Sequence, residues 1–282
     1  MKKIKKSLTS DCFFNRFPRK SKDFIKEEPT ISIITVVFNG EDKIEDTIKS
    51  VINQLYKNIE YIIIDGKSTD NTVNLIKKYD NYIDVLISEP DDGIYDAMNK
   101  GLNIANGDFV YFLNCGDIIL EFDTIEKVSQ LVKENPDKKL FYSDVINFDP
   151  IKKKGYIDKC SHLNGHLNHQ GTIYRKELHN IFGQYYSSRT LLISDYIFFI
   201  QIPRDYFFKV NNIIARYDLS GITMNKITPI QFALFNYLIG KISFFNMISR
   251  IVMFKLFYKI IVKIEYLINR QLKKSANAFF SI

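Results

Sequence analysis

The sequence predicts an α/β fold with a mostly parallel central sheet flanked by helices, followed by a helical tail at the C-terminus. Continuous apolar runs rich in β-branched residues alternate with segments of helical periodicity from Ile31 onward. These runs end close to Asp, Asn or Gly, residues that stop strands and form turns. After Thr228 the chain becomes highly apolar and carries a Lys or Arg at intervals of several residues, which predicts the tail.

The first predicted strand is the run ISIITVVF that begins at Ile31. A largely apolar run rich in β-branched residues is typical of a central parallel strand with both faces buried. The strand ends at Asn39-Gly40, and residues 41–55 then place apolar side chains at helical spacing. The other elements of this part follow in order: a strand at 61–64, a helix capped by residues 68–70 and extending to Tyr79, a strand at 85–88, a helix at 94–105 and a strand at 108–114.

Polar residues cluster just after the predicted strands. Asn39 follows the first strand, Asp65 the second, residues 89–93 the third and residues 114–117 the fourth. In parallel sheets ligands bind beyond the carboxyl ends of the strands, so these loops predict a binding site at one edge of the sheet. The alternative is that each loop is only a turn, since Asp, Asn and Gly end strands in many proteins.

Composition excludes several classes of protein. The chain has 282 residues, of which 46% are hydrophobic and 25% charged, and this is too apolar for a disordered protein. Three cysteines without a CxxC spacing argue against a disulfide framework or a cysteine-ligated zinc site. The basic start of the chain lacks the apolar run of a signal peptide, so we expect a cytoplasmic protein.

The net charge of +7 is unevenly distributed along the chain. From Lys226 onward there are nine Lys and Arg residues and one acid, Glu265, so this segment carries +8 and the preceding chain −1. A basic surface confined to one end argues against the basic groove of a nucleic-acid-binding protein. The sequence thus predicts an N-terminal arm (1–29), an α/β domain (30–225) and a basic helical tail (226–282).

Ordered motifs in the α/β domain resemble those of a known family. ISIITVVFN, IIIDGKSTDNT and EPDDGIYDAMNKGLNIANGDFVYFLNCGD are similar, in order and spacing, to the family 2 glycosyltransferases, which have a GT-A (Rossmann-like) fold. DGIYDAMNKG and LNCGD resemble a branch associated with bacterial surface polysaccharides. The resemblance, which spans about residues 31–223, implies an inverting glycosyltransferase of the hexosyltransferase type. The chain has no Trp and hence no QxxRW motif of the processive synthases, which favours transfer of a single sugar.

The resemblance implies a nucleotide-diphosphate sugar, most simply a UDP-sugar, as the donor. The residues that it places at the nucleotide and the donor sugar are Thr35, Val37, Asn39, Asp65, Asp92, Asn99 and Asn114. We expect Asp65 to bind the base alone, because Gly66 stands where many members have a second acid. Asn99 lies in a predicted helix, where a plain surface position is the alternative.

The segment LNCGD corresponds to the metal-binding DxD-type motif of the family. Asn114 and Gly116 stand in place of its usual acids, so the resemblance leaves Asp117 as the expected ligand of Mg²⁺ or Mn²⁺. Such a cation would neutralise the diphosphate leaving group. The alternative is that Asp117 only caps the segment that follows it.

The resemblance also implies residues on the acceptor side of the site. Asp195, in LLISDYIFFIQI, matches the base that removes the acceptor proton, and a helix N-cap is the alternative role. His169 and Gln170 match a His-Gln pair that we assign to the acceptor. A zinc site formed by His162, His166 and His169 is the alternative, although the Gly and Asn residues between them disfavour the helix that it would need.

The tail predicts contact with a membrane. Within residues 250–274, the Lys and Arg residues from Lys255 onward fall within one arc of a helix and apolar side chains lie largely opposite, as in helices that lie on an anionic membrane surface. From this pattern we expect a glycan or lipid-linked acceptor and no nucleic-acid partner. We also expect a peripheral position at the inner face of the cell membrane. One alternative is a tail helix packed on the catalytic domain. For the whole chain, the alternative is a non-catalytic glycan- or membrane-binding protein on a degenerate GT-A scaffold.

Overall fold

Two β-sheets flanked by α-helices build the described part of the chain. The computed structural model describes residues 25, 27–163, 165–220 and 227–255. Most of the predicted N-terminal arm, and residues 256–274 of the predicted membrane helix, lie outside the described residues. The chain divides into two compact units, Met1–Gly221 and Ile222–Ile282.

The strands are short, apart from two central ones. In chain order they are β1 (Ile31–Val37), β2 (Ile59–Asp65), β3 (Val85–Ser88), β4 (Phe109–Phe112), β5 (Ile118–Ile119), β6 (Leu140–Tyr142), β7 (Val145–Asp149), β8 (Lys154–Asp158), β9 (Thr172–Arg175), β10 (Phe207–Lys209) and β11 (Ala215–Asp218). The helices are α1 (Ile44–Ile52), α2 (Thr72–Lys77), α3 (Ile94–Ile104), α4 (Thr124–Glu134), α5 (Leu178–Phe182), α6 (Ser194–Phe199) and α7 (Thr228–Leu238).

The larger sheet has seven strands in the order β10-β6-β9-β4-β1-β2-β3. The strands β4, β1, β2 and β3 pair in parallel, as do β6 and β10. Within the described residues β9 alone runs against its neighbours in this sheet, pairing antiparallel with both β4 and β6. The prediction of a mostly parallel central sheet flanked by helices is therefore confirmed.

The central strand β1 is buried along its whole length. Its side chains alternate between two apolar clusters, since Ile31 and Ile33 belong to one and Ile34 and Val36 to the other. The two clusters lie on opposite faces of the sheet because successive residues of a strand point to opposite sides. This burial on both faces explains why the sequence of β1 is largely apolar rather than alternating between apolar and polar residues.

Helix α1 begins at Ile44, later than the predicted start at Glu41. The Glu41 carboxylate accepts a hydrogen bond from the Asn71 backbone N–H at 2.8 Å, and the Glu41 N–H donates to the Asp70 carboxylate at 3.1 Å. These bonds tie the loop after β1 to the loop after β2, so residues 41–43 form a turn rather than the first turn of the helix. Helix α2 ends before Tyr79, whose hydroxyl instead donates to Glu45.

A second, four-stranded sheet has the order β5-β11-β7-β8. The strand β5 follows directly after Asp117, and β11 pairs antiparallel with it, with Arg216 opposite Ile118. This pairing places Asp218, at the end of β11, beside the segment LNCGD. The smaller sheet therefore adds a carboxylate to the edge where the loops of the larger sheet meet.

The second unit contains α7 and a further helical stretch at 244–255. Several of its large apolar side chains are exposed, with Leu238 76% and Phe245 83% accessible. None of the described helices is both long enough and apolar enough to cross a membrane.

Candidate active site

The loops that follow β1 and β2 are joined by hydrogen bonds. Asn39 has a left-handed backbone (φ 48°), and its side-chain oxygen accepts the Thr69 N–H at 2.9 Å. The Asp65 carboxylate is buried and accepts hydrogen bonds from the Ser88 hydroxyl at 2.6 Å and from the Ser68 N–H. Asn39 and Asp65 thus lie at neighbouring strand ends, as the sequence predicts.

Thr35 and Val37 lie deeper, in β1 itself. The Thr35 hydroxyl donates to the Leu113 carbonyl at 2.8 Å, and both side chains are buried. The Leu113 carbonyl belongs to the segment that enters LNCGD, so Thr35 links β1 to this motif. The contact of Thr35 and Val37 with the nucleotide stays a prediction.

Asp195 is held by two hydrogen bonds at the start of α6. The Tyr95 hydroxyl donates to one carboxylate oxygen at 2.6 Å, and His169 Nδ1 lies 3.0 Å from the other. Burial alone would raise the pKa of the Asp195 carboxyl, but the hydrogen bonds from His169 and Tyr95 hold that pKa below its ordinary value. The carboxylate is therefore ionised at neutral pH, with its side chain 18% exposed.

His169 connects Asp195 to the segment LNCGD. Its Nε2 lies 3.0 Å from the side-chain nitrogen of Asn114, which can only donate. Nε2 is then the acceptor and Nδ1 carries the proton that is donated to Asp195. The neighbouring Gln170 hydrogen-bonds Asp117 through its side chain, so the His-Gln pair contacts both the predicted base and the predicted metal ligand.

Asp117 is almost fully buried, and one of its carboxylate oxygens accepts the Asp218 N–H at 2.9 Å. Burial raises the pKa of Asp117 to about 7, against the opposing effect of the Asp218 N–H. Thr47, on α1, fixes the turn around it: the Thr47 hydroxyl donates to the Asp117 carbonyl and accepts the Gly116 N–H. The motif is thus anchored to α1 on one side and to β11 on the other.

The donor atoms around LNCGD fit a hard divalent cation. The side-chain oxygen of Asn114 is buried and has no hydrogen-bond partner among the described residues. The carboxylates of Asp117 and Asp218 lie on the adjoining segments. All three groups offer oxygen, the donor that Mg²⁺ and Mn²⁺ prefer. Within the described residues no cluster of three His, Cys, Asp or Glu side chains converges, so ligands from the donor and water would complete such a shell.

Two of the residues predicted to contact the donor sugar or nucleotide, Asn99 and Asp92, have side-chain partners within the protein. Both polar atoms of the Asn99 side chain bind the backbone of Tyr185, its nitrogen donating to the carbonyl at 2.8 Å and its oxygen accepting the N–H at 3.1 Å. Asn99 is therefore a buried clamp on the Tyr185 segment rather than a surface residue. The Asp92 side chain is 81% exposed and lies 3.4 Å from Arg189.

The three histidines of SHLNGHLNH have separate partners. His162 Nδ1 lies 2.8 Å from the Tyr142 hydroxyl, whereas His166 Nε2 lies 2.8 Å from an Asp158 carboxylate oxygen. His169 turns to Asp195 instead. The described residues thus give the three imidazoles no shared metal site.

Sequence reasoning missed three residues of this site: Tyr95, Asp218 and Lys43. Tyr95 is part of DGIYDAMNKG, but its position in the first turn of an apolar helix is equally typical of a core residue. Asp218 lies near the end of the region that the resemblance spans, about residues 31–223, but none of the motifs quoted from that region contains it. Lys43 had no signal, because one lysine after a loop resembles any solvated residue.

Aromatic side chains and His179 pack against α6. His179 stacks on Phe198 of this helix with ring centroids 4.2 Å apart. His179 Nδ1 donates to the Gly183 carbonyl at 2.9 Å, so its Nε2 must accept from the Tyr174 hydroxyl, also at 2.9 Å. The imidazole is neutral in this arrangement, and burial lowers its pKa to about 4.

His179 is expected to make the folded state sensitive to acid. Its folded pKa of about 4 lies below the ordinary 6.5, so the unfolded chain binds more protons between these values and stability falls as pH drops from about 6.5 to 4. The loss from this group is on the order of 3 kcal/mol. Urea unfolding of the wild type and of His179→Gln across this range measures it, with the exposed His166→Gln as the control. A loss of the same size in His179→Gln as in the wild type would contradict the assignment.

The chain is similar to proteins of known family. The profile described as glycosyl transferase family 2 matches residues 32–185. A PGL/p-HBAD biosynthesis glycosyltransferase of Mycobacterium bovis is 28% identical over 178 residues, which cover 61% of this chain and 69% of that protein. The putative teichuronic acid biosynthesis glycosyltransferase TuaG of Bacillus subtilis is 37% identical over 110 residues, or 38% of this chain and 43% of TuaG.

Among solved structures, Staphylococcus aureus TarS 1-349 in complex with UDP-GlcNAc superposes with a TM-score of 0.59 at 17% identity. The superposition covers 80% of this chain and 71% of that one, and at this identity it supports the fold. The seven-stranded sheet therefore has the GT-A architecture. Because the family profile spans more than half of the sequence, the chain belongs to glycosyl transferase family 2.

Proposed function

We propose that the chain is an inverting glycosyltransferase that moves a single hexosyl group from a nucleotide-diphosphate sugar to a glycan or lipid-linked acceptor in surface polysaccharide synthesis. The observation that carries this proposal is the hydrogen-bonded line from Asp195 through His169 to Asn114. Through these hydrogen bonds the ionised Asp195 carboxylate is linked to the segment LNCGD. A UDP-sugar is the donor we favour, with the UDP-GlcNAc complex of TarS as support.

In this proposal Asp195 is the general base. Its carboxylate accepts the proton of the acceptor hydroxyl while the hydroxyl oxygen attacks the anomeric carbon of the sugar. Each carboxylate oxygen can accept more than one hydrogen bond, so the bonds from Tyr95 and His169 leave room for the acceptor. The nucleoside diphosphate leaves from the opposite face of the sugar, which inverts the anomeric configuration.

On the donor side, Asn39 and Asp65 would bind the nucleoside, with Thr35 and Val37 lining the same strand end. Asn99 would act through the segment around Tyr185 that it clamps. Asp92 would face the donor sugar.

The cation would be held by Asp117, Asp218 and the unpartnered oxygen of Asn114. When bound, Mg²⁺ or Mn²⁺ supplies positive charge to the departing diphosphate.

Nucleotide binding separates this proposal from a non-catalytic binding protein on the same scaffold. Titration of UDP and of GDP by calorimetry, with and without Mn²⁺, is expected to give binding that the metal strengthens. Transfer or hydrolysis is then measured over a panel of nucleotide-sugars to identify the donor. Metal-independent weak binding with no turnover of any donor would favour the binding protein.

We further propose that the chain acts in the cytoplasm, peripherally at the inner face of the cell membrane. The exposed apolar side chains of the second unit and the basic residues from Lys226 onward support this. Apolar residues enter the acyl boundary of a bilayer while lysines contact anionic headgroups. The lipid-linked acceptor would be met on the same surface.

The double variant Leu238→Asn/Phe245→Asn is expected to weaken binding to phosphatidylglycerol vesicles about tenfold, because two largely exposed apolar side chains would no longer enter the bilayer. Vesicle co-sedimentation measures the change. Ile151→Asn is the matched control, since Ile151 is 87% exposed but belongs to the first unit. Equal losses in the double variant and the control, or no loss in either, would contradict the membrane assignment.

A further inference from the structure

Lys43 stands at the junction of three segments of the candidate site. Its ammonium lies 2.9 Å from a carboxylate oxygen of Asp218 and also contacts the Ser220 hydroxyl. The Lys43 side chain is 37% exposed and the Asp218 side chain 11%. The pair is therefore partly open to solvent and anchored on its acidic side.

This ion pair fills the space next to Gly116. A Cβ added to Gly116 would lie 3.1 Å from the Asp218 carboxylate and 3.2 Å from Lys43 Cδ. Gly116 also has a backbone φ of 98°, which side chains other than glycine rarely adopt. The volume in which an acid at position 116 would project is occupied by an acid from β11 and by a lysine from the start of α1.

The Asp218 carboxylate accepts hydrogen bonds from the Ser220 N–H at 2.7 Å and from the Ser220 hydroxyl at 2.6 Å, in addition to its ion pair with Lys43. Lysine carries a compact charge on a flexible four-carbon stem with three donors, so its ammonium can move between neighbouring anions. A diphosphate placed against LNCGD brings negative charge to a region that already holds Asp117 and Asp218. A second cation there lowers the Coulomb repulsion.

We propose that Lys43 is a second cation of the donor site: its ammonium pairs with Asp218 when the site is empty and turns to the donor diphosphate when Asp218 is engaged by a divalent cation. This inference rests on the proposed function, since it needs a nucleotide-diphosphate sugar at LNCGD. It assigns Lys43 two opposite effects. Lys43 competes with the divalent cation for Asp218, and it strengthens binding of the diphosphate.

The variant Lys43→Met tests both effects without an activity assay. Mn²⁺ affinity is measured by electron paramagnetic resonance without nucleotide, and UDP and uridine affinities by calorimetry at fixed Mn²⁺. We expect Mn²⁺ to bind several-fold more tightly, UDP about tenfold more weakly and uridine unchanged, because a charge-assisted hydrogen bond to phosphate is lost. If GDP rather than UDP binds the wild type, GDP and guanosine take their places.

Two matched variants complete the experiment. Lys43→Arg keeps the charge and is expected to retain UDP affinity within a few-fold, whereas Lys49→Met removes an exposed charge from the other end of α1 and should change neither affinity. Unchanged UDP affinity in Lys43→Met, an equal loss for uridine, or weaker Mn²⁺ binding would overturn the inference while the proposed function stands. A wild type that binds neither UDP nor GDP would overturn both.

Discussion

Asp195→Asn is expected to slow sugar transfer by at least about 10²-fold, because a general base contributes about 10² to 10⁴ in rate and an amide cannot accept the acceptor proton. Asparagine keeps the size of the side chain and one hydrogen-bond acceptor. The variant should therefore fold and bind nucleotide as the wild type does. The rate is measured in single-turnover reactions with the donor that the panel identifies.

The control for this prediction is Tyr95→Phe, which removes one hydrogen bond to Asp195 but leaves the carboxylate. Its rate should fall much less than that of Asp195→Asn, and its UDP affinity should not change. Retention of more than about a tenth of the wild-type rate by a folded Asp195→Asn protein would rule Asp195 out as the base.

Asp117→Asn is expected to abolish the gain in UDP affinity that Mn²⁺ provides. The asparagine oxygen can still accept the Asp218 N–H, so the turn is preserved, but the negative charge in the predicted cation site is lost. We expect UDP affinity in the presence of Mn²⁺ to fall toward its metal-free value, a change on the order of 10-fold to 100-fold. Calorimetry with and without Mn²⁺ measures both values on the same preparation.

Asp123→Asn provides the matched loss of charge. Asp123 is an exposed acid that pairs with Lys127 at the start of α4, and its replacement should leave the response to Mn²⁺ intact. If Asp117→Asn retains the full response to Mn²⁺ while its unfolding midpoint is unchanged, the cation is held elsewhere or not at all.

Local pattern was enough to predict the parallel half of the sheet. The continuous apolar run of β1 follows from burial on both faces, and the helix at α3 was predicted within one residue of its end. The antiparallel strand β9 was not predictable as such, because its four residues carry no information about which strands flank them. Its position between β4 and β6 depends on pairing between distant parts of the chain.

In the candidate site, too, short motifs predict individual residues but not the contacts between residues that are far apart in the chain. Motifs singled out Asp117, Asp195 and His169 as candidates, and the fold brings them close together, yet nothing local indicated that His169 touches Asn114 while Gln170 touches Asp117. Asn99 was assigned to the donor on its motif, but its amide is committed to the Tyr185 backbone, 86 residues away. Such pairings are decided by tertiary packing, which a motif does not encode.

The crowding at Gly116 couples three positions of the chain. An acid at position 116 would bring its side chain against the Lys43–Asp218 pair and would need a backbone φ that residues other than glycine rarely adopt. Changes at Lys43 or Asp218 would relieve the steric conflict but not the backbone strain. We therefore expect the effects of substitutions at positions 43, 116 and 218 on stability to be non-additive.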